Sequence, residues 1–194
     1  MRILRLSNEY TEALNAAVDT IIGGGVLVYP TDTLYGIGCD ATNKDAVDKV
    51  YEIKKRDRDK PVSVLVGGLS QLIKYFDING EELNYLTRYL PGPYTFLLKP
   101  KVKMYVSNNE KVGVRVPNHI FIRKVALRSG KPIVTTSANI SGKEPPTSIN
   151  DVKDILDKID LAIDGGETKH TGPSTIVDIE ERKIIRQGVG VFEF

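Results

Sequence analysis

Hydroxyl, carboxylate and glycine residues gather directly behind an apolar run near the start of the chain. The run at residues 26–29 (VLVY) is bounded by three glycines and by Pro30, which is typical of a buried strand. Thr31, Asp32 and Thr33 follow it. Ligands of α/β proteins bind where such strands end, so these residues are candidates for a binding site. A turn whose side chains hydrogen-bond to the local backbone uses the same residue types, and this stretch alone leaves both interpretations open.

Basic residues at three further places are suited to binding anions. Lys54 and Arg56 lie at the end of a predicted helix, where they either favour the helix dipole as solvated cations or hold a phosphate. Arg115 lies within an apolar strand, where an unpaired charge is costly. We therefore expect a carboxylate beside Arg115, either from a structural aspartate or from a substrate. Arg186, on the last predicted strand, is another candidate anion ligand.

A second group of hydroxyls follows the apolar pair at residues 133–134. Residues 135–139 (TTSAN) add three hydroxyls and an amide, and Ser174 opens a strand after a Gly-Pro turn. These groups either cap local turns or hold phosphate oxygens and small polar ligands. Because no general base lies nearby in the sequence, a positioning role is favoured over a Ser-His-Asp arrangement. The sequence contains no phosphate-loop, dinucleotide-binding or zinc-protease motif.

The apolar periodicity predicts the elements that position these residues. The predicted helices cover residues 10–22, 43–55, 70–76, 81–90, 118–128 and a segment capped by Ser148 or Asn150. The predicted strands cover residues 3–6, 26–29, 62–66, 94–98, 112–116, 133–135, 161–163, 174–178 and 183–186. Residues 101–111 are expected to form a hairpin or mobile loop, and Thr42 with Asp45 is expected to form a capping box. The absence of repeats and linkers predicts one mixed α/β domain over residues 1–194.

The composition limits the classes of function. A hydrophobic content of 41% with 27% charged residues is ordinary for a soluble globular domain. The net charge of +2 gives no global field that favours nucleic acid or membrane. The single cysteine, Cys39, excludes an internal disulfide framework and a cysteine-based zinc site, and its type favours a core position. No apolar stretch has the length of a signal peptide or a membrane span, so we expect a cytoplasmic protein without membrane contact.

Six motifs in this order resemble those of the YrdC family, the threonylcarbamoyl-adenylate synthases. They are PTDTLYGIG at 30–38, KxR at 54–56 with KP at 60–61, PGPxT at 91–95, VRVP at 114–117, SANxSG at 137–142 and STIVD at 174–178. The resemblance covers essentially the whole chain. It implies a twisted open mixed sheet with helices and a large central cleft.

The resemblance also implies an activity. It implies that L-threonine, bicarbonate and ATP condense to threonylcarbamoyl-AMP and pyrophosphate, with Mg²⁺ accompanying ATP. A partner transferase then carries the threonylcarbamoyl group to an adenosine of tRNA, and a weak contact of this protein with tRNA is compatible with that role. Such a condensation needs orientation and charge neutralisation more than a protein nucleophile.

The family's site residues map onto this sequence position by position. The resemblance implies that the catalytic residues at the nucleotide site are Lys54, Arg56, Ser137 and Asn139. It implies that L-threonine binds to Thr33, Arg115, Thr135 and Ser174, with Arg115 on the carboxylate. It implies ATP contacts at Arg56, Lys60, Lys111, Ser137, Pro145 and Arg186. It implies no metal-ligating residue.

Two departures and two rival functions accompany this interpretation. Asp57 stands where many members have proline, and Leu65 stands where some place a histidine near threonine. The sequence resembles the short, single-domain form of the family. The first rival is a non-catalytic RNA-binding module, which the basic cluster at 54–60 favours and the near-neutral total charge opposes. The second is carbamoyl-adenylate chemistry on another acceptor, as in related domains of hydrogenase maturation proteins.

Overall fold

A computed structural model of the chain describes residues 2–168 and 172–194. The helices are α1 (Tyr10–Ile22), α2 (Lys44–Lys54), α3 (Leu69–Tyr75), α4 (Gly80–Tyr89), α5 (Ile120–Ser129) and a 3₁₀ helix (Ile149–Lys158). The strands are β1 (Arg2–Arg5), β2 (Leu27–Pro30), β3 (Tyr35–Gly38), β4 (Ser63–Leu65), β5 (Phe76–Asp77), β6 (Tyr94–Pro100), β7 (Val112–Arg115), β8 (Ile133–Ser137), β9 (Leu161–Asp164), β10 (Thr175–Asp178) and β11 (Lys183–Arg186).

One mixed sheet runs through the described residues, in the order β1-β9-β2-β3-β8-β4-β7-β6-β10-β11, and β5 pairs with β6. Its pairs are parallel at β1–β9, β2–β9, β4–β7 and β6–β10 and antiparallel at the others. Strands distant in sequence therefore become neighbours, and the predicted mixed α/β architecture is confirmed. Within the described ranges, no helix has both the length and the apolar composition needed to cross a bilayer.

Helices cover both faces of the sheet and form two apolar cores. On one face, α1 and α5 bury an apolar stripe against strand residues such as Tyr29, Leu65 and Ile133. On the other face, α2 and the 3₁₀ helix pack with strand residues such as Val64 and Phe96. Because side chains alternate along a strand, polar residues flanking Leu65 and Ile133 at every second position share the α1/α5 face. That face carries the cavity described below.

Most predicted elements are confirmed within one or two residues at their ends. The bounds of α1 coincide with the prediction because its apolar spacing ends at Gly23. The largest omission is β3, since the sequence analysis assigned no strand to residues 35–38. Its glycines hid the strand, yet Gly36 and Gly38 are needed there. A β-carbon on Gly38 would lie 1.9 Å from the Val134 carbonyl oxygen, so only glycine permits this close pairing with β8.

One local prediction is wrong, and for another the structure excludes one of two alternatives. Asn43, not Thr42, caps α2 by accepting a hydrogen bond from the Ala46 backbone amide, while the Thr42 hydroxyl donates to Asp40 at 2.7 Å. Residues 101–111 do not form a hairpin. Met104 and Val106 are buried there, and the Val62 amide donates to the Val106 carbonyl at 3.1 Å, so this segment packs onto the core.

Candidate active site

A cavity of about 440 Å³ opens on the face of the sheet that also carries Leu65 and Ile133, and strand and loop residues line it. Ser63 on β4 pairs in register with Thr135 on β8, which places both hydroxyls at the cavity. Arg115 enters from β7 and Thr95 from β6. The β2–β3 loop, the start of β10 and the end of β11 complete the wall. Seven strands thus contribute residues to one site. Because these strands are far apart in sequence, no single motif identifies the site.

The lining of the cavity is rich in cations and hydroxyls. Its three charged side chains are Arg56, Arg115 and Arg186. Its hydroxyl groups come from Thr31, Thr33, Tyr35, Ser63, Thr95, Thr135, Thr136, Ser137 and Ser174. No carboxylate lines the cavity among the residues that the structure describes. An excess of arginines in the lining favours an anionic ligand, and the hydroxyls provide neutral hydrogen bonds to its oxygens.

The β2–β3 loop is a tight turn held by Thr31. The Thr31 hydroxyl accepts from the Thr33 amide at 3.1 Å and from the Leu34 amide at 3.2 Å, and it donates to the Leu34 carbonyl at 2.7 Å. Tyr35, which follows the turn and lines the cavity, is fixed by its hydroxyl, which donates to the Gly166 carbonyl at 2.7 Å. Both interpretations of this stretch therefore hold: it is a locally satisfied turn, and it lines the cavity.

Arg115 has the carboxylate partner that its sequence position predicted. Its Nη2 donates to Asp32 Oδ1 at 3.0 Å, and both side chains are largely shielded from water. Its Nε is buried with no hydrogen-bond partner among the described residues. The structural aspartate and the cavity position coexist, so Arg115 combines a fixed anchor with donors that are still unused.

Ser174 lies in a small network with Thr95 and Arg186. The hydroxyls of Thr95 and Ser174 are 2.8 Å apart, and both residues are buried. Arg186 donates from Nε and Nη2 to the Ser174 carbonyl at 3.2 and 2.8 Å. The guanidinium therefore braces the start of β10, while its charge has only neutral partners among the described residues.

Arg56 closes the opposite side through the loop after α2. Its Nε and Nη2 donate to the carbonyls of Lys60 and Pro61, each at 3.0 Å. Asp57, the departure from the family pattern, accepts from the Asp59 amide at 3.0 Å and so stabilises the same loop. An aspartate turn therefore shapes this loop, and Arg56 reaches the cavity.

Lys54 acts behind the cavity wall and not in it. The side chain is 1% exposed, and its Nζ donates to the Ser137 and Asn139 carbonyls and to Asn139 Oδ1 at 3.3 Å. The Ser137 hydroxyl donates to the same Asn139 Oδ1 at 2.6 Å. Burial, followed by the repulsion of Arg56, lowers the pKa of Lys54 to about 7. Lys54 and Asn139 thereby shape the end of β8, and Ser137 is the member of this group that lines the cavity.

The structure brings most of the candidate residues together and leaves some outside. The cavity is lined by Thr33, Arg56, Arg115, Thr135, Ser137, Pro145, Ser174 and Arg186. Lys54, Asn139, Lys60 and Lys111 do not line it. Lys111 is engaged elsewhere in the structure, because its ammonium lies 2.8 Å from both Asp178 and Glu180. Burial opposes its charge, but the hydrogen bonds to these carboxylates prevail and raise the pKa of Lys111 to about 12.

Several lining residues escaped the sequence analysis. Thr95 belongs to the quoted PGPxT motif, so a role was open to inference. Ser63 had a weaker signal, a lone hydroxyl in an apolar strand whose register with Thr135 only the fold reveals. Leu65, where some relatives have histidine, is fully buried and packs into the α1/α5 core. Cys39 is fully buried too, and burial raises the pKa of its thiol, which agrees with a core role.

Comparison with known proteins places this fold and cavity in a family. The profile of the Sua5/YciO/YrdC family, described as "Telomere recombination", matches residues 19–188. A protein of Methanocaldococcus jannaschii named "Putative threonylcarbamoyl-AMP synthase" is 42% identical over 173 residues, which are 87% of this chain and 82% of that protein. The chain belongs to the Sua5/YciO/YrdC family.

Solved structures show the same fold. P. abyssi Sua5 complexed with L-threonine superposes with a TM-score of 0.87 at 33% identity, over 97% of this chain and 57% of that one. E. coli YciO superposes with a TM-score of 0.85 at 28% identity, over 98% of this chain and 97% of that one. The chain therefore spans a little over half of the Sua5 protein and nearly the whole of YciO.

Proposed function

We propose that this protein is an L-threonylcarbamoyladenylate synthase, which condenses L-threonine, bicarbonate and ATP to threonylcarbamoyl-AMP and pyrophosphate. The observation that carries this proposal is the cavity with three arginines, nine hydroxyl residues and no lining carboxylate among the described residues. All three substrates carry anionic groups that such a lining suits. The 42% identity to a protein with this activity in its name, and the likeness to a threonine-bound Sua5, support it.

Threonine and ATP occupy different parts of the cavity in this proposal. Threonine binds to Thr33, Arg115, Thr135 and Ser174, which come from four separate elements. The triphosphate lies toward Arg56 and Arg186, whose partners among the described residues are neutral carbonyl and hydroxyl oxygens. Ser137 and Pro145 flank the nucleotide. Lys54 and Asn139 keep the end of β8 in place for it.

The proposed reaction has two steps. The threonine amine attacks the carbon of bicarbonate and water leaves, which gives a carbamate. A carbamate oxygen then attacks the α-phosphorus of ATP, and pyrophosphate leaves with the electrons of the broken P–O bond. The side chains form no covalent bond. They hold the reactants close and offset the charge that develops on the phosphate oxygens, and both effects are large in enzymes.

Magnesium enters this scheme with ATP. Within the described residues, no three His, Cys, Asp or Glu side chains are grouped as a metal site, and the cavity offers hydroxyl oxygens. Mg²⁺ commonly binds substrate phosphates and water with few protein ligands, so this lining suits a magnesium–ATP complex. When bound, the ion would lower the repulsion between the phosphates. The hydroxyls of Ser137 and of the threonine residues in the lining are the side-chain oxygens that would hold it.

The product requires a consumer. Threonylcarbamoyl-AMP is a mixed anhydride, and we propose that a tRNA-modifying threonylcarbamoyl transferase receives it in the cytoplasm. A weak contact of this protein with tRNA is part of that proposal.

The test is pyrophosphate release from ATP and bicarbonate by the purified protein, with and without L-threonine. The proposal predicts release that depends on threonine. Serine should be a poorer substrate, because a lost methyl contact is worth ~1–3 kcal/mol. Release that ignores threonine would indicate another acceptor. No release with any amino acid, combined with salt-sensitive RNA binding, would indicate the binding module.

A further inference from the structure

Asp32 is the one polar side chain of the β2–β3 turn that does not bond within the turn. Thr31 satisfies the amides of Thr33 and Leu34 by itself. Asp32 instead reaches two groups more than eighty residues away in sequence. A side chain whose partners are this distant in sequence is not needed to form the turn, so its contacts require another explanation.

Each oxygen of the Asp32 carboxylate accepts a different donor. Oδ1 accepts from Arg115 Nη2 on β7 at 3.0 Å, and Oδ2 accepts from the backbone amide of Asn118, just before α5, at 3.0 Å. The side chains of Asp32 and Arg115 are only 15% and 11% exposed. A charge-assisted pair with so little water around it is strongly directional. Asp32 therefore fixes the guanidinium relative to both the turn and the start of α5.

Asp32 also divides the charge of the cavity. Among the described residues, Arg115 is the one cavity arginine with a carboxylate partner, whereas Arg56 and Arg186 donate to neutral oxygens. The net positive charge is thus higher near Arg56 and Arg186 than near Arg115. A polyanion is drawn to the first two, while Arg115 retains directed N–H donors with a partly offset charge.

We propose that Asp32 is a positioning residue that holds Arg115 ready for the carboxylate of the amino-acid substrate and keeps Thr33 opposite it. This inference rests on the proposed function. A free arginine side chain loses rotamer freedom when it binds, and a guanidinium already held in place avoids part of that cost. Because Thr33 directly follows Asp32 in the chain, the same contact sets the separation of the two walls of the amino-acid site.

A competing role for Asp32 predicts the opposite sign. If the carboxylate merely occupied Arg115 until substrate arrived, its removal would free the guanidinium and strengthen threonine binding. If it positions Arg115, its removal weakens threonine binding and leaves ATP binding unchanged. The direction of one Michaelis constant therefore separates the two roles.

The experiment uses the full chain with Asp32→Asn and, as a matched control, Asp45→Asn on the exposed start of α2. We expect Asp32→Asn to raise the KM for threonine about tenfold or more, with kcat within about threefold and the KM for ATP unchanged. Asp32→Glu keeps the charge and should recover part of the threonine affinity. Calorimetry of threonine binding in the absence of turnover should rank the affinities in the same order, with the wild type tightest, Asp32→Glu next and Asp32→Asn weakest. Asp45→Asn should match the wild type.

A double-mutant cycle supplies the decisive readout. If Asp32 acts through Arg115, adding Asp32→Asn to Arg115→Ala should not raise the KM for threonine further. An unchanged or lowered KM for threonine in Asp32→Asn, an equal rise in the KM for ATP, or additive effects in the cycle would overturn the inference. A loss of melting temperature without a selective threonine effect would also overturn it. If the wild type shows no threonine-dependent pyrophosphate release, the proposed function itself fails, which is a separate outcome.

Discussion

Arg115 is the most buried of the three cavity arginines, and at the scale of single residues the proposed threonine site depends on its planar fork. Lysine keeps the charge but cannot make two parallel hydrogen bonds to a carboxylate. We predict that Arg115→Lys raises the KM for threonine by about tenfold or more and leaves the KM for ATP nearly unchanged. Arg128→Lys, on the exposed side of α5, is the matched control. A wild-type KM for threonine in Arg115→Lys would remove Arg115 from the site.

Lys54 makes a residue-scale prediction about stability. Burial holds its pKa in the folded protein at about 7, against an ordinary value of 10.5. Between these two pH values the unfolded chain binds more protons than the folded protein. The free energy of unfolding therefore rises with pH across this window, by at most about 1.4 kcal/mol per pH unit. Below about pH 7 Lys54 is protonated in both states and contributes no slope.

Chemical denaturation of the wild type and Lys54→Met from about pH 6 to about pH 11 measures this contribution, because that range spans both pKa values. The variant loses the hydrogen bonds to the end of β8, so its stability is lower overall. Its dependence on pH should nevertheless be flatter than that of the wild type above pH 7. Parallel curves would show that Lys54 keeps an ordinary pKa in the folded protein.

At the scale of elements, the register of β4, β6, β7 and β8 makes the floor of the cavity. Gly113 on β7 lies between Ser63 and Thr95, and a β-carbon there would be 2.8 Å from Ser63 Oγ and 3.0 Å from Thr95 Cγ2. Both atoms belong to side chains, which can move aside without unfolding the sheet. Their displacement would change the shape of the cavity floor. We predict that Gly113→Ala lowers kcat/KM for threonine about tenfold with only a small change in melting temperature.

The control for this prediction is Gly80→Ala, since a β-carbon at the start of α4 meets no atom within 4 Å. Steady-state kinetics and thermal melting of both variants distinguish the effect of a β-carbon at the cavity floor from the effect of any glycine-to-alanine substitution. Full activity of Gly113→Ala would mean that the substrates do not use the space above β7.

The elements also show how far the sequence could predict the structure. Apolar periodicity was sufficient for α1 and for most strands, because burial dictates both. It failed for β3, whose glycines are required by close contacts with β8 and with the Tyr29 ring. No local sequence pattern encodes these contacts. No local pattern showed that the Lys111 ammonium pairs with Asp178 and Glu180, because these carboxylates lie far along the chain. Ordered motifs predicted most of the cavity lining, whereas Ser63 depended on register alone.

At the scale of the whole molecule, positive charge is concentrated in the cavity while the net charge of the protein stays low. The net charge is only +2, yet three arginines meet in one cavity. ATP should therefore feel a local positive field, and threonine, which has no net charge, should feel it less. Raising the salt from about 0.05 M to about 0.5 M shortens the Debye length severalfold. We predict that this raises the KM for ATP more than the KM for threonine, and an equal rise of both would argue against separate subsites.

The most direct test of the proposed function is identification of the product. The protein is incubated with ATP, magnesium, L-threonine and either ordinary or ¹³C-labelled bicarbonate, and the nucleotides are analysed by mass spectrometry. The proposed function predicts threonylcarbamoyl-AMP, which contains one ¹³C atom from the labelled bicarbonate and is missing when threonine is omitted. Pyrophosphate release accompanied only by AMP, or an adenylate whose mass ignores the bicarbonate label, would contradict it.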